Sequence, residues 1–119
     1  MYLMSRPKRG EIWVVALDPT IGSEIRKTRP AMILSNDINN HYSGTVTVIP
    51  VTSSLKKVYP FEVYLPEGEG GLERGSKART DQIRTVDNRR LVRRLGSLSR
   101  ERILEIERAL EIHLDIGQP

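Results

Sequence analysis

Apolar and polar positions along most of this chain alternate or cluster in short runs, and a helical rhythm appears only near its C-terminal end. Residues 10–17 read GEIWVVAL, β-branched and aromatic, and predict a strand. The polar stretch DPTIGSEIRKT that follows carries Pro19 and Gly22 and predicts a long loop. A second strand starts at Pro30, where a missing N–H is tolerated, and runs through Ala31, Met32, Ile33 and Leu34. SNDINNHYSG is a turn-rich link with room for one helical turn, TVTVIPV is a third strand with Pro50 near its end, and TSSLKKVYP is a second polar, basic loop. FEVYL alternates cleanly, with Phe61, Val63 and Leu65 on one face and Glu62 and Tyr64 on the other. PEGEGGLERG, glycine-rich and acidic, predicts a turn or mobile loop, and SKARTDQIRTVD and RLVRRLGSL predict further strands around a tight DNR link.

The last segment changes period. Ile103, Ile106, Leu110 and Leu114 recur at helical spacing with Leu104 beside them, Ser99 is placed to cap the N-terminus and Gly117 to stop the helix. Several short strands followed by one terminal helix predict a β-rich α+β fold, a small barrel or bent sheet with the helix packed against it. No repeat, linker or low-complexity segment interrupts the pattern, so residues 1–119 are expected to form a single domain.

Composition narrows the function classes. Hydrophobic residues make up 38% and charged residues 29%, which is the balance of a soluble globular protein. There is no long apolar run for a membrane helix, and MYLMSRPKRG lacks the apolar core of a secretory signal. Cysteine is absent, which excludes disulfides and thiolate chemistry and suits a reducing compartment; the expected location is cytoplasmic. The net charge of +4 is mild, but its distribution is uneven. Lys77, Arg79, Arg84, Arg89, Arg90, Arg93 and Arg94 face only Asp81 and Asp87 in their segment, and Arg6, Lys8, Arg9, Arg26, Lys27 and Arg29 outnumber Glu11, Asp18 and Glu24 in theirs. The C-terminal helix is acidic. Two basic segments suit a polyanion or an acidic peptide; on charge alone, ordinary charged faces account for them equally well.

Few residues offer reaction chemistry. His41 and His113 are the only histidines, and no His, Asp or Glu spacing matches a metal motif. His41 has the chemistry for acid–base work, although a solvated loop residue is the plainer reading, and His113 reads as a packed or solvated helix residue. GEGG lacks the Lys-Ser/Thr that would complete a phosphate loop. What remains is arginine with hydroxyls. Arg29 precedes Pro30, so its backbone is biased to be extended at the rim of the core. VTSS ends the third strand and presents Thr52, Ser53 and Ser54. A fixed guanidinium beside a fixed hydroxyl suits an oxyanion or a phosphate. RNA cleavage by transesterification needs little more, because the 2′-OH is the nucleophile. Arginine is a poor general base at its ordinary pKa, which is the weak point of that scheme. The structural alternative is an arginine paired with Glu24 or Asp37.

Four stretches, in order, resemble a known family. KRGEIWVVALDPTIGSE resembles the opening strand and loop of the MazF/PemK/Kid-type toxins, the endoribonuclease half of type II toxin–antitoxin modules. KTRPAMILSND resembles their central RP signature, VIPVTSS the strand that ends in a catalytic hydroxyl, and DQIRTVDNRRL their downstream D-Q-[IV]-R segment. The resemblance implies an SH3-like barrel shared with CcdB toxins, with the terminal helix against it, and a symmetric homodimer. It implies metal- and cofactor-independent, sequence-specific cleavage of single-stranded RNA, chiefly mRNA, with Arg29 as acid/base, Thr52 stabilising the transition state and Glu24 assisting. RNA would be held by Arg26, Lys27, Lys56, Lys57, Arg79 and Arg84 and read by Ser23, Ser53, Asp81 and Gln82. An acidic antitoxin would cover the same groove, with no membrane involved. The competing reading is a non-enzymatic CcdB-like toxin that binds a topoisomerase, for which no Arg29–Thr52 pair is needed. The cleaved motif is not written in the sequence.

Overall fold

A computed structural model describes residues 6–117. In chain order the elements are β1 (Glu11–Ala16), β2 (Thr28–Ile33), α1 (Asp37–Tyr42), β3 (Thr45–Thr52), β4 (Glu62–Leu65), β5 (Ser76–Arg79), β6 (Arg84–Asp87), β7 (Leu91–Ser97) and α2 (Arg100–Leu114). The seven strands form one antiparallel sheet in the order β4-β5-β3-β2-β1-β7, with β6 also on β3. The outer strands β4 and β7 do not pair with each other, so the expected barrel is an open sheet with a C-terminal helix.

Alternation along the strands gives this sheet two apolar faces. Ile12, Met32, Ile49 and Val51 point to one, where Leu65, Leu98 and the α2 residues Ile106 and Ala109 join them. Trp13, Val15, Leu17, Ala31, Ile33, Val46 and Val48 point to the other, against which Ile25 packs.

Several elements differ from the sequence reading, each for a visible reason. β2 begins at Thr28, because Thr28 and Arg29 pair with Ala16 and Val15 of β1; Arg29 therefore lies on a strand and not in the loop. SKARTDQIRTVD is not one strand. Thr80–Gln82 form a single 3-10 turn, with the Thr80 hydroxyl donating to the Phe61 carbonyl, and this break lets β5 and β6 pair with different parts of β3. Glu62 of β4 is buried instead of exposed, for reasons given below.

The glycine-rich stretch holds a 3-10 turn, Glu69–Gly71, packed against Ile12, Leu95 and Leu98. Gly71 has a φ of +82°, and a Cβ there would overlap the Leu95 carbonyl oxygen. The neighbouring Glu69 carboxylate accepts from the Ser99 N–H at 2.9 Å, where α2 begins. Ser99 caps α2 as expected, accepting from Arg102 N–H, but the helix ends at Asp115, in the left-handed region with φ +55°, before Gly117 is reached. Only the first part of the predicted apolar stripe is used. Ile106 and Ala109 are buried, whereas Leu104 and Leu114 are exposed.

Ile106, with 0% exposure, is the anchor of α2 on the sheet. Ile106→Ala is expected to cost about 2–5 kcal/mol in urea unfolding, and Leu104→Ala to stay within about 0.5 kcal/mol.

Candidate active site

Arg29 and Thr52 lie on the two strands whose pairing is the centre of the sheet. β2 and β3 pair as Ala31↔Pro50, Met32↔Ile49 and Ile33↔Val48. The same register carried two residues further sets Arg29 opposite Thr52. Arg29 is in phase with Ala31 and Ile33, and Thr52 with Pro50 and Val48, so both side chains leave the same sheet face.

The Arg29 guanidinium is half-committed. Its Nε–H donates to the Arg26 carbonyl at 3.1 Å, which turns the side chain back against its own loop. Among the described residues it makes no salt bridge. The structural alternative of a pair with Glu24 or Asp37 is not formed: Glu24 accepts from the Ile21 N–H at 2.8 Å, and Asp37 from the Arg9 N–H at 2.7 Å. The Thr52 hydroxyl accepts from the Ser54 N–H at 3.2 Å, which leaves its proton available to donate. No hydrogen bond joins Arg29 directly to Thr52.

A cleft of about 380 Å³ is lined by Arg29 but not by Thr52, and it lies on the sheet face that Val51 shares with Ile12 and Met32. Its floor is a row across the sheet, Val14, Pro30 and Val51, with Arg93 paired to Val14 at one end. Arg29, Arg74 and Arg93 line it against a single carboxylate, Glu73, with Ser53 and Ser76 as hydroxyls. An apolar floor with a cationic rim suits a planar base flanked by phosphate. Arg74 and Arg93 were not singled out from the sequence. Arg93 was visible only as one cation in a basic run, and the register shifts between β1 and β7 that aim it at Val14 leave no mark in the sequence.

The other nominated residues divide. Ser23, Arg26, Lys27, Lys56 and Lys57 are exposed on the two loops. Lys27 has a φ of +70°, and its carbonyl accepts from the Leu17 N–H at 2.9 Å. The Lys57 Nζ lies 4.8 Å from the centre of the Tyr59 ring. Arg84 pairs with Val48 and so emerges on the Thr52 face.

Arg79, Asp81 and Gln82 are held by internal contacts. Arg79 bonds Asp81 at 2.6 Å and reaches Glu62 at 3.3 Å. The hydrogen bond to Asp81, with the nearby carboxylate charges, raises its pKa above the ordinary arginine value, so it is a permanent cation. Gln82 accepts from the Ile25 N–H at 3.0 Å. Among the described residues no three His, Asp or Glu side chains gather as metal ligands.

Glu62 is the hub of this internal set. Its side chain is 2% exposed and takes Lys77 Nζ at 3.0 Å as well as Arg79. It also accepts from the Tyr59 N–H at 2.9 Å, and Lys77 Nζ donates to the Lys57 carbonyl at 2.6 Å. Lys77 is the β5 partner of Thr52, so the cluster ties the basic loop that follows Thr52 to the strand beside it.

The open antiparallel sheet thus carries an arginine without an ion pair among the described residues, a strand-end hydroxyl, and a cleft lined by three arginines. The chain belongs to the PemK-like, MazF-like toxins of type II toxin–antitoxin systems, whose family model matches residues 8–114. It is 44% identical over 114 residues to endoribonuclease MazF9 of Mycobacterium tuberculosis, covering 92% of this chain and 97% of that one. Its fold superposes on MazF of Deinococcus radiodurans with a TM-score of 0.82 at 31% identity, covering 92% of this chain and 97% of the other. A MazE–MazF structure from the same organism gives a TM-score of 0.73 at 27% identity, covering 93% and 97%.

Removing one partner of the buried pair would leave a buried charge. Glu62→Ala is expected to cost about 3–5 kcal/mol in denaturant unfolding, and the double variant Glu62→Leu, Lys77→Met to recover most of that loss.

Proposed function

We propose that this protein is an endoribonuclease toxin that cuts single-stranded RNA by transesterification at the Arg29–Thr52 site. What supports the reading is an Arg29 guanidinium with no carboxylate partner among the described residues, on a strand whose register with β3, continued two residues past Ala31↔Pro50, runs toward Thr52. The family, and the activity named for its M. tuberculosis relative, support the same conclusion.

In the proposed step the substrate's 2′-oxygen attacks the adjacent phosphorus and the bond to the 5′-oxygen breaks. The 2′-OH loses its proton and the 5′-oxygen gains one, which leaves a 2′,3′-cyclic phosphate and a 5′-OH. Arg29 carries the acid–base exchange and, with the free proton of Thr52, donates to the charge that builds on the phosphoryl oxygens. Glu24, on the loop just before Arg29, assists as the nearby carboxylate of that segment. The nucleophile comes from RNA, so the reaction is metal-independent. Neighbouring nucleotides occupy the cleft and contact the loop cations Arg26, Lys27, Lys56 and Lys57. Base choice at this groove makes cleavage sequence-specific. The active form is a homodimer, and an acidic antitoxin competes for the same cations, as the MazE–MazF complex of a relative suggests.

The reading is tested on a long mixed-sequence single-stranded RNA in EDTA. Discrete cuts with 5′-OH ends are expected from the wild type. Arg29→Ala is expected to lower kcat at least about 10³-fold and Thr52→Val about 10²-fold, as when preorganised donors are removed. A folded wild type that leaves many RNAs intact would remove the enzyme reading and favour a non-enzymatic binder.

A further inference from the structure

Gln82 lies 57 residues from Ile25 in sequence, yet its Oε1 accepts the Ile25 N–H at 3.0 Å. The residue after Ile25 is Arg26, whose carbonyl receives the Arg29 Nε–H. The next is Lys27, held in the left-handed region while its carbonyl accepts from Leu17. Residues 25–27 are therefore fixed from one side by β1, from below by the Ile25 side chain on the Trp13–Val15–Leu17 cluster, and from the other side by Gln82.

Gln82 is itself well anchored. It ends the 3-10 turn Thr80–Gln82, and that turn is held by the buried Thr80 hydroxyl on the Phe61 carbonyl and by the Arg79–Asp81 pair. A rigid support thus connects through one acceptor atom to the loop backbone, and through the Arg26 carbonyl to the guanidinium of Arg29.

We propose that Gln82 is a positioning residue for Arg29. Its side-chain carbonyl latches the loop that holds the Arg29 guanidinium in place, an inference that rests on the nuclease reading above. On this account Oε1 is engaged within the protein, while the Nε2 hydrogens remain available to RNA. The essential property of the side chain is then its acceptor, and the amide donors are secondary.

Two variants separate these properties. Gln82→Met keeps the length and removes the acceptor; Gln82→Glu keeps the acceptor and removes the donors. Each is examined by amide hydrogen exchange at Ile25 in the free protein and by kcat and KM on one oligoribonucleotide that the wild type cuts, with thermal unfolding to verify the fold. Gln82→Met is expected to speed Ile25 exchange about tenfold, the equivalent of one ordinary hydrogen bond. It should also lower kcat by about tenfold or more while KM moves little, because the substrate contacts remain. Gln82→Glu should restore Ile25 protection and most of kcat at an unchanged cleavage site, with any charge penalty confined to KM. Unaltered Ile25 exchange in Gln82→Met would overturn the latch. A Gln82→Glu variant with Ile25 protected but kcat as low as in Gln82→Met would overturn the positioning role in favour of base reading by the amide. A wild type that cuts no RNA would overturn the nuclease reading and with it the catalytic half of this one, whereas the exchange measurement would still decide the latch.

Discussion

Strand β3 is hydrogen-bonded along both edges, and the rest of the molecule takes its position from that. One edge carries β2. The other carries β6 along Thr45–Val48 and β5 at Val51 and Thr52. Backbone pairing leaves little freedom in register here, because a slip by one residue would exchange the side chains of the two apolar clusters and undo the packing of both. The register therefore does two things at once. It assembles the two apolar clusters, and continued past its last pair, Ala31↔Pro50, it runs toward Arg29 on one strand and Thr52 on the other.

Charge is distributed by the same geometry. Many of the cations that make the sequence look basic are consumed internally. Arg9 bridges to the Leu34 carbonyl and to Glu107 of α2, Arg94 to Glu11, Arg102 to Glu69 and Glu105, and Arg79 to Asp81 and Glu62. Arg29, Arg74 and Arg93 have no such ion pair among the described residues and converge on one cleft. A carboxylate partner would compensate those charges and weaken their attraction for phosphate. Their lack of one leaves positive charge concentrated in that cleft.

The buried Glu62 cluster and the Gln82 contact share a logic. Each uses an internal polar group to hold the backbone of a basic loop: residues after Thr52 in one case, residues before Arg29 in the other. Long polar loops are ordinarily the freest parts of a small fold. Here both are tied at their bases to the same neighbourhood, Lys77 to Gln82, so that a site built partly on loops keeps the rigidity of the sheet. The proposed catalysis needs its groups held to a fraction of an ångström, and these ties restrain the loop backbone without taking a donor from Arg29 beyond its Nε.

Local pattern by itself determined most of the elements. Val, Ile and Trp in β1 and the apolar run of β3 marked strands because period and β-branching are properties of a few consecutive residues, and Ser99 marked the start of α2 for the same reason. The extended backbone at Arg29 was legible too, through the bias before proline, and the family was legible through its motifs. Tertiary structure decided what depends on distant partners. Glu62 looked like a solvent-facing residue until Lys77 and Arg79 buried it, and Gln82, expected from the resemblance to read bases, has its acceptor on the Ile25 N–H. Arg74 and Arg93 became part of a cleft only when a glycine turn and a shifted register brought them beside Arg29. Hydrophobic period and backbone bias act over a few residues and can be read along the chain, whereas the pairing of charges and donors depends on which strands become neighbours, and that is set by the packing of the whole sheet.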